Sequence, residues 1–369
     1  MLIYLVFIFC LYFAFVLACV VGWHKFTRPS KATDAKEFAS VVVAVRNEEV
    51  SIAPLLTSLL EQDYAMENFE AILVDDHSTD ATPKIIANWI KDNPLLKINY
   101  VQSSGNGKKH ALMEGIEKSK GEILLTSDAD CTVPATWISQ MVMSFKQEST
   151  MVIGLVKVQS GRSLFSKIQA VEFSSVMGAA IAMVSLGFPI MCNGASLAFR
   201  KKNFVAANGY EGNLHIPSGD DEFLMRKLNK QFPGSIQSIR SASVVSTQPQ
   251  ASLRKFLHQR LRWASKWKAN DSFSTKILAL FVLVFQITYL VTIGLLFVGE
   301  NLLEMSTLLG IKILLEGYFL FHVGKRLQQA FSIPAFFILQ VVYPFYVISV
   351  GIFSQLFEYE WKGRRGGKL

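Results

Sequence analysis

Hydrophobic residues are distributed unevenly along the chain, in long uncharged runs near its two ends and shorter runs between them. Residues 2–23 carry no charge, and further apolar segments follow at 277–299, 305–323 and 330–357. A helix needs about 20 apolar residues to cross a bilayer, so the pattern predicts an N-terminal anchor and two to three C-terminal spans. The first run exceeds the hydrophobic region of a signal peptide and lacks a basic segment before it, which favours an uncleaved anchor.

The middle of the chain alternates short β-branched runs with amphipathic segments. Four runs predict strands, the first two of them typical of strands buried on both faces, and each of the first three is followed by a helical pattern. These runs are FASVVVAV, FEAILVDD, LKINYVQS and EILLTSDAD. Strands that alternate with helices predict a parallel α/β sheet, and such sheets bind ligands at the carboxyl ends of their strands.

Polar residues stand at three of these strand ends and form a candidate site. They are Arg46 with Glu48, Asp75 with Asp76, and Asp128 with Asp130. On an extended strand end the side chains of residues 128 and 130 point the same way, so their carboxylates repel unless a cation lies between them. Oxygen ligands of this kind suit Mg²⁺ or Mn²⁺.

Two other interpretations of the DAD segment stay open at this point. One is a solvated acidic turn without a ligand. The other is the DxDxT pattern of haloacid-dehalogenase phosphatases, in which Asp128 would accept a phosphoryl group. That pattern belongs on an early strand, however, and here three strand–helix units with acids of their own come first.

The charge distribution favours a membrane protein. The net charge is +8 and 51% of the residues are hydrophobic, and no basic stripe with interleaved aromatic residues predicts nucleic-acid binding. Basic residues flank the central domain and place it in the cytoplasm by the positive-inside rule; they are His24, Lys25, Arg28, Lys31, Lys266, Lys268 and Lys276. Four full spans would put the basic C-terminal tail outside, so we expect one C-terminal segment to be re-entrant or interfacial; the tail residues are Lys362, Arg364, Arg365 and Lys368.

The uncharged stretch 173–199 is long enough for a span. A single crossing here would separate the acids near residue 128 from those near residue 220. Gly187 and Pro189 also interrupt the stretch. We therefore expect buried core or a face that rests on the membrane.

Two later segments carry more polar residues than structure alone requires. Asp220 and Asp221 precede an amphipathic helix, and with the following glutamate they exceed what a helix cap needs. The segment LRKFLHQRLRWASKWK has one apolar stripe made of Leu253, Leu257, Leu261 and Ala264. Gln259, Arg262 and Trp263 share another face of the same helix. The alternative is a basic, Trp-bearing helix in the membrane interface.

One apolar segment near the C-terminus contains two charges, Lys312 and Glu316, four residues apart. Isolated charges in the middle of a membrane are rare because they are costly. The pair either neutralises itself or faces the other C-terminal helices and lines the approach of a polar ligand.

In order along the chain, seven segments resemble membrane-bound family 2 glycosyltransferases: VVVAVRNEE, VDDHSTDAT, GKKHALMEG, DAD, CNGASLAFRK, SGDDEFL and QRLRW. The resemblance covers about residues 40–268 and includes the QxxRW motif of cellulose, chitin and hyaluronan synthases, which non-processive relatives also carry. It implies an α/β domain of the GT-A fold. The implied divisions are an anchor in 1–23, a catalytic domain in 24–252, an interfacial helix in 253–274 and a transmembrane region in 275–369.

The resemblance also implies roles for individual residues. The nucleotide-sugar donor, by default a UDP-sugar, would be bound by Arg46, Glu48, Asp75, Asp76, Lys108 and Asp128. Asp128 and Asp130 would hold Mg²⁺ or Mn²⁺, and Asp221, or its neighbour Asp220, would be the base of a one-step inverting transfer. Gln259, Arg262 and Trp263 would close over the diphosphate and the acceptor. The GDD segment departs from the ED or GED of many relatives, which leaves the choice between the two aspartates open.

The implied acceptor is a lipid or a glycan at the inner (plasma) membrane, with the catalytic domain in the cytoplasm. A processive polysaccharide synthase is the first alternative, although three C-terminal segments are few for a polymer tunnel. A non-catalytic membrane scaffold is the second. It predicts the loss of a motif acid, and all of the motif acids are present.

Overall fold

The computed structural model describes residues 1–26, 37–266, 273–356, 359–361 and 364–366. The chain divides into two compact units. The sheet unit comprises residues 25–159 and 183–248, and the helical unit comprises residues 1–24, 160–182 and 249–369. Five of the basic residues used above to predict orientation lie outside the described residues: Arg28, Lys31, Lys268, Lys362 and Lys368.

The secondary structure follows the predicted alternation closely in the first half of the chain. That half contains α1 (Leu2–Phe26), β1 (Ala39–Val45), α2 (Ile52–Leu60), β2 (Phe69–Asp75), α3 (Thr82–Asp92), β3 (Ile98–Gln102), α4 (Lys108–Lys118), β4 (Ile123–Thr126), β5 (Cys131–Thr132), α5 (Trp137–Met143), β6 (Met151–Ile153) and β7 (Leu155–Val158). The second half contains α6 (Leu164–Ser185), β8 (Leu197–Arg200), α7 (Lys201–Ala206), α8 (Asp220–Gln231), β9 (Ile236–Ser238), β10 (Val244–Thr247), α9 (Leu253–Ser265), α10 (Phe273–Val298), α11 (Leu302–Arg326), α12 (Ile333–Leu356), β11 (Tyr359–Trp361) and β12 (Arg364–Gly366).

The main sheet has seven strands in the order β3-β2-β1-β4-β8-β6-β9. The first four are parallel, as the alternation predicted, and β1 lies between β2 and β4. The valines of β1 at positions 41, 42 and 43 are fully buried, which explains why that run is apolar on both faces. Strand β8 is antiparallel to β4, a feature that the sequence pattern did not predict.

A second, smaller sheet and the packed helices complete the sheet unit. The small sheet has the order β5-β10-β7. Helix α2 buries Leu55, Leu56 and Leu59, which recur at helical spacing along one face. The sheet is thereby covered by apolar side chains while the carboxyl ends of its parallel strands carry the polar residues.

Five helices of the described residues are long and apolar enough to cross a membrane: α1, α6, α10, α11 and α12. In the helical unit, α1 packs on α10 through Tyr12 and Phe285, whose rings stack with centroids 3.6 Å apart. Helices α1 and α6 approach closely at Gly22, where a Cβ atom would lie 2.3 Å from the carbonyl oxygen of Ala182. Small residues commonly allow such backbone approach between membrane helices.

Helix α6 starts before the uncharged stretch 173–199 and ends within it, at Ser185. Strands β6 and β8, which precede and follow α6 in the chain, are hydrogen-bonded neighbours in the main sheet. A single crossing by α6 would put these two strands on opposite sides of a membrane. The sheet is therefore compatible with α6 only as a helix that does not make one complete crossing.

The buried face of helix α9 differs from the apolar stripe identified in the sequence. Phe256 and Arg260 are buried, whereas Leu253 and Leu257 of the apolar stripe are exposed. An amphipathic helix with exposed leucines and basic neighbours is typical of a membrane interface. In the same unit, the backbone of β11 runs alongside α9.

Candidate active site

The carboxyl ends of β1 and β2 meet at one edge of the sheet, where Val45 pairs with Asp75. The side chain of Arg46 crosses this edge and donates from Nη1 to the carbonyl oxygens of Asp76 and His77, at 2.5 Å and 3.1 Å. Glu48 is buried at the start of the next helix, where its carboxylate accepts the hydroxyl of Ser51. The predicted donor-binding residues of the first two strands therefore do lie together.

Asp75 and Asp76 are both 2% exposed and serve first to shape the loop after β2. Asp75 accepts the hydroxyl and the N–H of Ser78, at 2.5 Å and 3.1 Å. Asp76 accepts the N–H of Gly107 at 2.8 Å, which ties this edge to the start of α4. Burial and the neighbouring Asp75 raise the pKa of the Tyr100 phenol to about 12, so it remains protonated at neutral pH.

The two acids of the DAD segment are brought together by a turn rather than by an extended strand. Strand β4 ends at Thr126, and the N–H of Cys131 donates to the carbonyl of Asp128 at 3.1 Å. Residues 128–131 therefore form a turn, and the prediction that residues 128 and 130 continue an extended strand was wrong. The proximity itself is present: ligand atoms of Asp128, Asp130 and Cys131 lie within 4.8 Å of one another.

Lys108, at the first position of α4, connects two of the acidic segments. Its Nζ donates to Asp128 Oδ1 at 2.7 Å and lies 3.0 Å from Asp220 Oδ2. Burial alone would lower the pKa of Lys108, but the carboxylates of Asp128 and Asp220 outweigh burial and raise the pKa well above its ordinary value. A permanent positive charge thus stands between acids that are more than ninety residues apart in sequence.

Asp220 and Asp221 begin α8 behind Gly219, and their carboxylates have different partners. Asp220 is 8% exposed and faces Lys108. Asp221 accepts the N–H of Gly194 at 3.0 Å and the N–H of Glu222 at 2.7 Å. These two hydrogen bonds from backbone N–H groups hold the Asp221 carboxylate in one orientation.

Gly194 is a site residue that the sequence analysis did not select, although it lies in the quoted CNGAS segment. A Cβ atom there would lie 3.3 Å from Asp220 Oδ2 and 3.6 Å from both Asp221 Cβ and Lys108 Nζ. The carbonyl of Gly194 also accepts the hydroxyl of Thr126, the last residue of β4, at 3.0 Å. The only signal in the sequence was a glycine after a broken apolar stretch.

The donor atoms around Asp128 fit a hard divalent cation. Asp130 is exposed and Asp128 is half-buried, so both carboxylates can reach a ligand. Burial, followed by the carboxylates of Asp130 and Asp128, raises the pKa of the Cys131 thiol well above its ordinary value. Cys131 is 1% exposed, so the accessible ligand atoms are the carboxylate oxygens of Asp128 and Asp130, which suit Mg²⁺ or Mn²⁺ rather than a softer metal.

Gln259, Arg262 and Trp263 all lie on α9 and are partly exposed. They belong to the helical unit, whereas the acids belong to the sheet unit. Their role in closing over a diphosphate and an acceptor stays a prediction. The neighbouring Arg260, which the sequence analysis left out, is buried among them.

Residues 40–206 match the family model described as glycosyl transferase family 2. The chain is similar to a beta-monoglucosyldiacylglycerol synthase of Nostoc sp., with 32% identity over 43% of this chain and 36% of the relative. It is also similar to a poly-beta-1,6-N-acetyl-D-glucosamine synthase of Staphylococcus epidermidis, with 27% identity over 68% of this chain and 61% of the relative. The chain thus spans between about one third and three fifths of these relatives' lengths.

Among solved structures, a mannosyltransferase from Pyrobaculum calidifontis, in complex with GDP-Man and Mn²⁺, has the same fold. It superimposes with a TM-score of 0.58 at 17% sequence identity, over 96% of this chain and 99% of that chain. At this identity the similarity establishes the fold alone.

Proposed function

Because residues 40–206 form a glycosyltransferase family 2 domain of GT-A fold, we propose that the chain moves a sugar from a nucleotide-diphosphate sugar to an acceptor at the membrane. The observation that carries the proposal is the convergence at Lys108. Acids from the β4 turn and from α8 meet there, at 2.7 Å and 3.0 Å from the ammonium. Such an arrangement supplies charge for a diphosphate beside a carboxylate that can accept a proton.

Asp128 and Asp130 would hold a divalent cation, which supplies positive charge to the leaving diphosphate. Lys108 keeps Asp128 in place and adds a second positive charge at the same edge. Arg46, Asp75 and Asp76 shape the surface that meets the base and ribose of the nucleotide. UDP is the expected nucleotide.

Asp221 is the proposed general base. It takes the proton from the acceptor hydroxyl while the hydroxyl oxygen attacks the anomeric carbon and the nucleotide diphosphate leaves. One base and one leaving group suffice for a single displacement, and in a single displacement the configuration at the anomeric carbon inverts. Asp220 instead pairs with Lys108, which supports Asp221 as the base of the two.

The acceptor is proposed to be a lipid or a lipid-linked glycan, reached from the cytoplasmic face of the inner (plasma) membrane. The apolar helices α1, α10, α11 and α12 favour an acceptor that resides in the bilayer. A relative named for the synthesis of a glucosyl diacylglycerol supports the same class.

A processive polysaccharide synthase is the second candidate. It is favoured by the match to the poly-beta-1,6-N-acetyl-D-glucosamine synthase, which extends over 258 residues. The two candidates differ in the length of the product rather than in the chemistry of one transfer.

The test uses the full-length protein in detergent or nanodiscs, with a panel of UDP- and GDP-sugars and membrane lipid extract. We expect nucleotide diphosphate release with one donor, abolished by EDTA and restored by Mn²⁺ or Mg²⁺. Asp130→Ala should be inactive, while Asp92→Ala, which changes an exposed acid at the end of α3, should be unaffected. Full activity in chelator would contradict the metal site, and no release from any donor would contradict the transferase.

Product analysis separates the two candidates. A single labelled sugar in the lipid fraction supports transfer to a lipid, whereas a ladder of products supports a processive synthase.

A further inference from the structure

Arg260 is the second residue of the QRLRW segment and is 5% exposed. Its guanidinium forms a two-pronged ion pair with Glu172 of α6, with Nε 3.1 Å from Oε1 and Nη2 bonded to Oε2. The hydroxyl of Tyr346 on α12 donates to the same Oε1 at 3.3 Å. A planar guanidinium held by both oxygens of a carboxylate has its orientation fixed as well as its position. All of these residues belong to the helical unit.

The same guanidinium holds the two partly exposed neighbours in the motif. Its Nη1 donates to Gln259 Oε1 at 2.7 Å. Its central carbon lies 4.2 Å from the ring centroid of Trp263 and 4.5 Å from that of Phe256, so the cation sits between two aromatic faces. Arg260 therefore contacts both of its motif neighbours while it is anchored from α6.

The chemistry of arginine fixes which end of the Gln259 amide faces it. A guanidinium only donates hydrogen bonds, so the amide oxygen must point toward Arg260. The NH₂ group of the Gln259 amide is then not used by Arg260 and can donate to another group. A ligand that meets this NH₂ group must offer an accepting oxygen, such as that of a sugar hydroxyl or a phosphate.

We propose that Arg260, anchored by Glu172, is a positioning residue that presents Gln259 as a hydrogen-bond donor and fixes the plane of the Trp263 ring for the sugar or diphosphate ligand. This inference rests on the proposed transferase function. The alternative is that the Glu172–Arg260 pair only holds helices together. The two alternatives predict different results in the experiments that follow.

A double-mutant cycle separates positioning from packing. Arg260→Lys keeps the charge but loses the fork, and we expect kcat/KM to fall about tenfold, as for one lost charge-assisted hydrogen bond. In a Gln259→Ala background the same change should cost less than about threefold, because residues that act through one another are not additive. Additive losses would overturn the inference. The matched control is Arg254→Lys, which changes an exposed arginine on the same helix. It should leave kcat/KM unchanged in both the original and the Gln259→Ala background.

The donor role of Gln259 has its own test. Gln259→Glu keeps an oxygen toward Arg260 but removes the NH₂ group, so it should be as damaging as Gln259→Ala. Full activity in Gln259→Glu would overturn the assigned orientation.

Absence of turnover with every donor would contradict the proposed function but would not test the positioning role of Arg260. A fluorescence measurement tests that role without turnover. The fluorescence of Trp263 is obtained as the difference between each protein and its Trp263→Phe counterpart. Arg260→Lys and Glu172→Gln should both change this emission, and Arg254→Lys should not. An unchanged Trp263 emission would overturn the inference. If either buried variant fails to fold, Tyr346→Phe removes a single hydrogen bond to Glu172 and should change the emission in the same direction.

Discussion

Asp220 and Asp221 are neighbours in sequence but are held by different partners, and this difference makes the choice of base testable. Asp221→Asn keeps the shape of the side chain and its contact with Gly194 but cannot accept a proton. We expect turnover to fall by about 10²–10⁴-fold with little change in the KM for donor. Asp220→Asn weakens the pairing with Lys108 and should cost only about tenfold.

Initial rates of nucleotide release over a range of donor concentrations measure both effects. If Asp220→Asn is the severe change and Asp221→Asn is mild, the roles of the two residues are exchanged. Thermal unfolding of each variant serves as the control, because a loss of folded protein would lower turnover in both.

The candidate acids were predictable from sequence, but their contacts were not. Carboxylates that follow predicted strands can be identified in the sequence, and the sheet topology brings them to one edge. The ion pair between Lys108 and Asp220 joins segments more than one hundred residues apart. Likewise, the close approach of Gly194 to the acids of α8 and the burial of Arg260 against Glu172 of α6 are defined only in the folded chain.

At the scale of single elements, the contacts of Lys312 and Glu316 on α11 distinguish between the two interpretations of this charged pair. Lys312 is 4% exposed; its Nζ lies 2.9 Å from Glu316 and donates to Gln340 of α12 at 2.5 Å. Tyr12 of α1 donates to Glu316, and Lys312 lies over the ring of Tyr289 on α10, 4.3 Å from its centroid. These contacts favour the first of the two sequence interpretations, in which the pair neutralises itself.

We therefore expect Lys312→Met to destabilise the protein by up to about 3 kcal/mol, because it leaves the partly buried Glu316 carboxylate without its cation. The double variant Lys312→Met with Glu316→Gln removes both charges and should recover most of the lost melting temperature in detergent. Its sugar transfer should match the original protein. A stable double variant that released nucleotide without transferring sugar would instead assign the pair to the acceptor.

The topology of α6 can be tested by the sides from which its flanks are labelled. Strands β6 and β8 are paired in one sheet, so exposed positions before and after α6 must lie in one compartment. In a cysteine-free background, Arg162→Cys and Lys202→Cys should react with an impermeant thiol reagent from the same side. Labelling from opposite sides would contradict the pairing and the site that depends on it.

Element types were more predictable than their orientation. The buried runs of β1, β2 and β4 were recognisable because central parallel strands are apolar on both faces. Strand β3 lies at the edge of the sheet and is only partly buried. The antiparallel β8 was not recognisable, since four residues after a loop carry too little pattern to give a direction. In α9 the leucine spacing indicated one apolar face, but Leu253 and Leu257 on that face are exposed. The buried face carries Arg260, which pairs with Glu172.

For the whole molecule, the described residues constrain how many times the C-terminal part crosses the membrane. Helix α9 precedes α10, α11 and α12, and β11 follows them. The backbone of β11 lies beside α9 in the helical unit, so both ends of this segment are on one side. The segment must then cross an even number of times, which agrees with the expectation that one of the three helices is re-entrant or interfacial.

A cysteine appended after Leu369 should therefore label from the same side as Ala251→Cys, which lies just before α9. Glu300→Cys, in the exposed turn between α10 and α11, should label from the other side, because a single complete crossing by α10 separates it from α9. The comparison uses intact and permeabilised vesicles of one orientation, with the cysteine-free chain as the blank. Labelling of the C-terminal cysteine together with Glu300→Cys would mean an odd number of complete crossings. It would place the basic residues Arg364 and Arg365 against the positive-inside rule and separate β11 from α9.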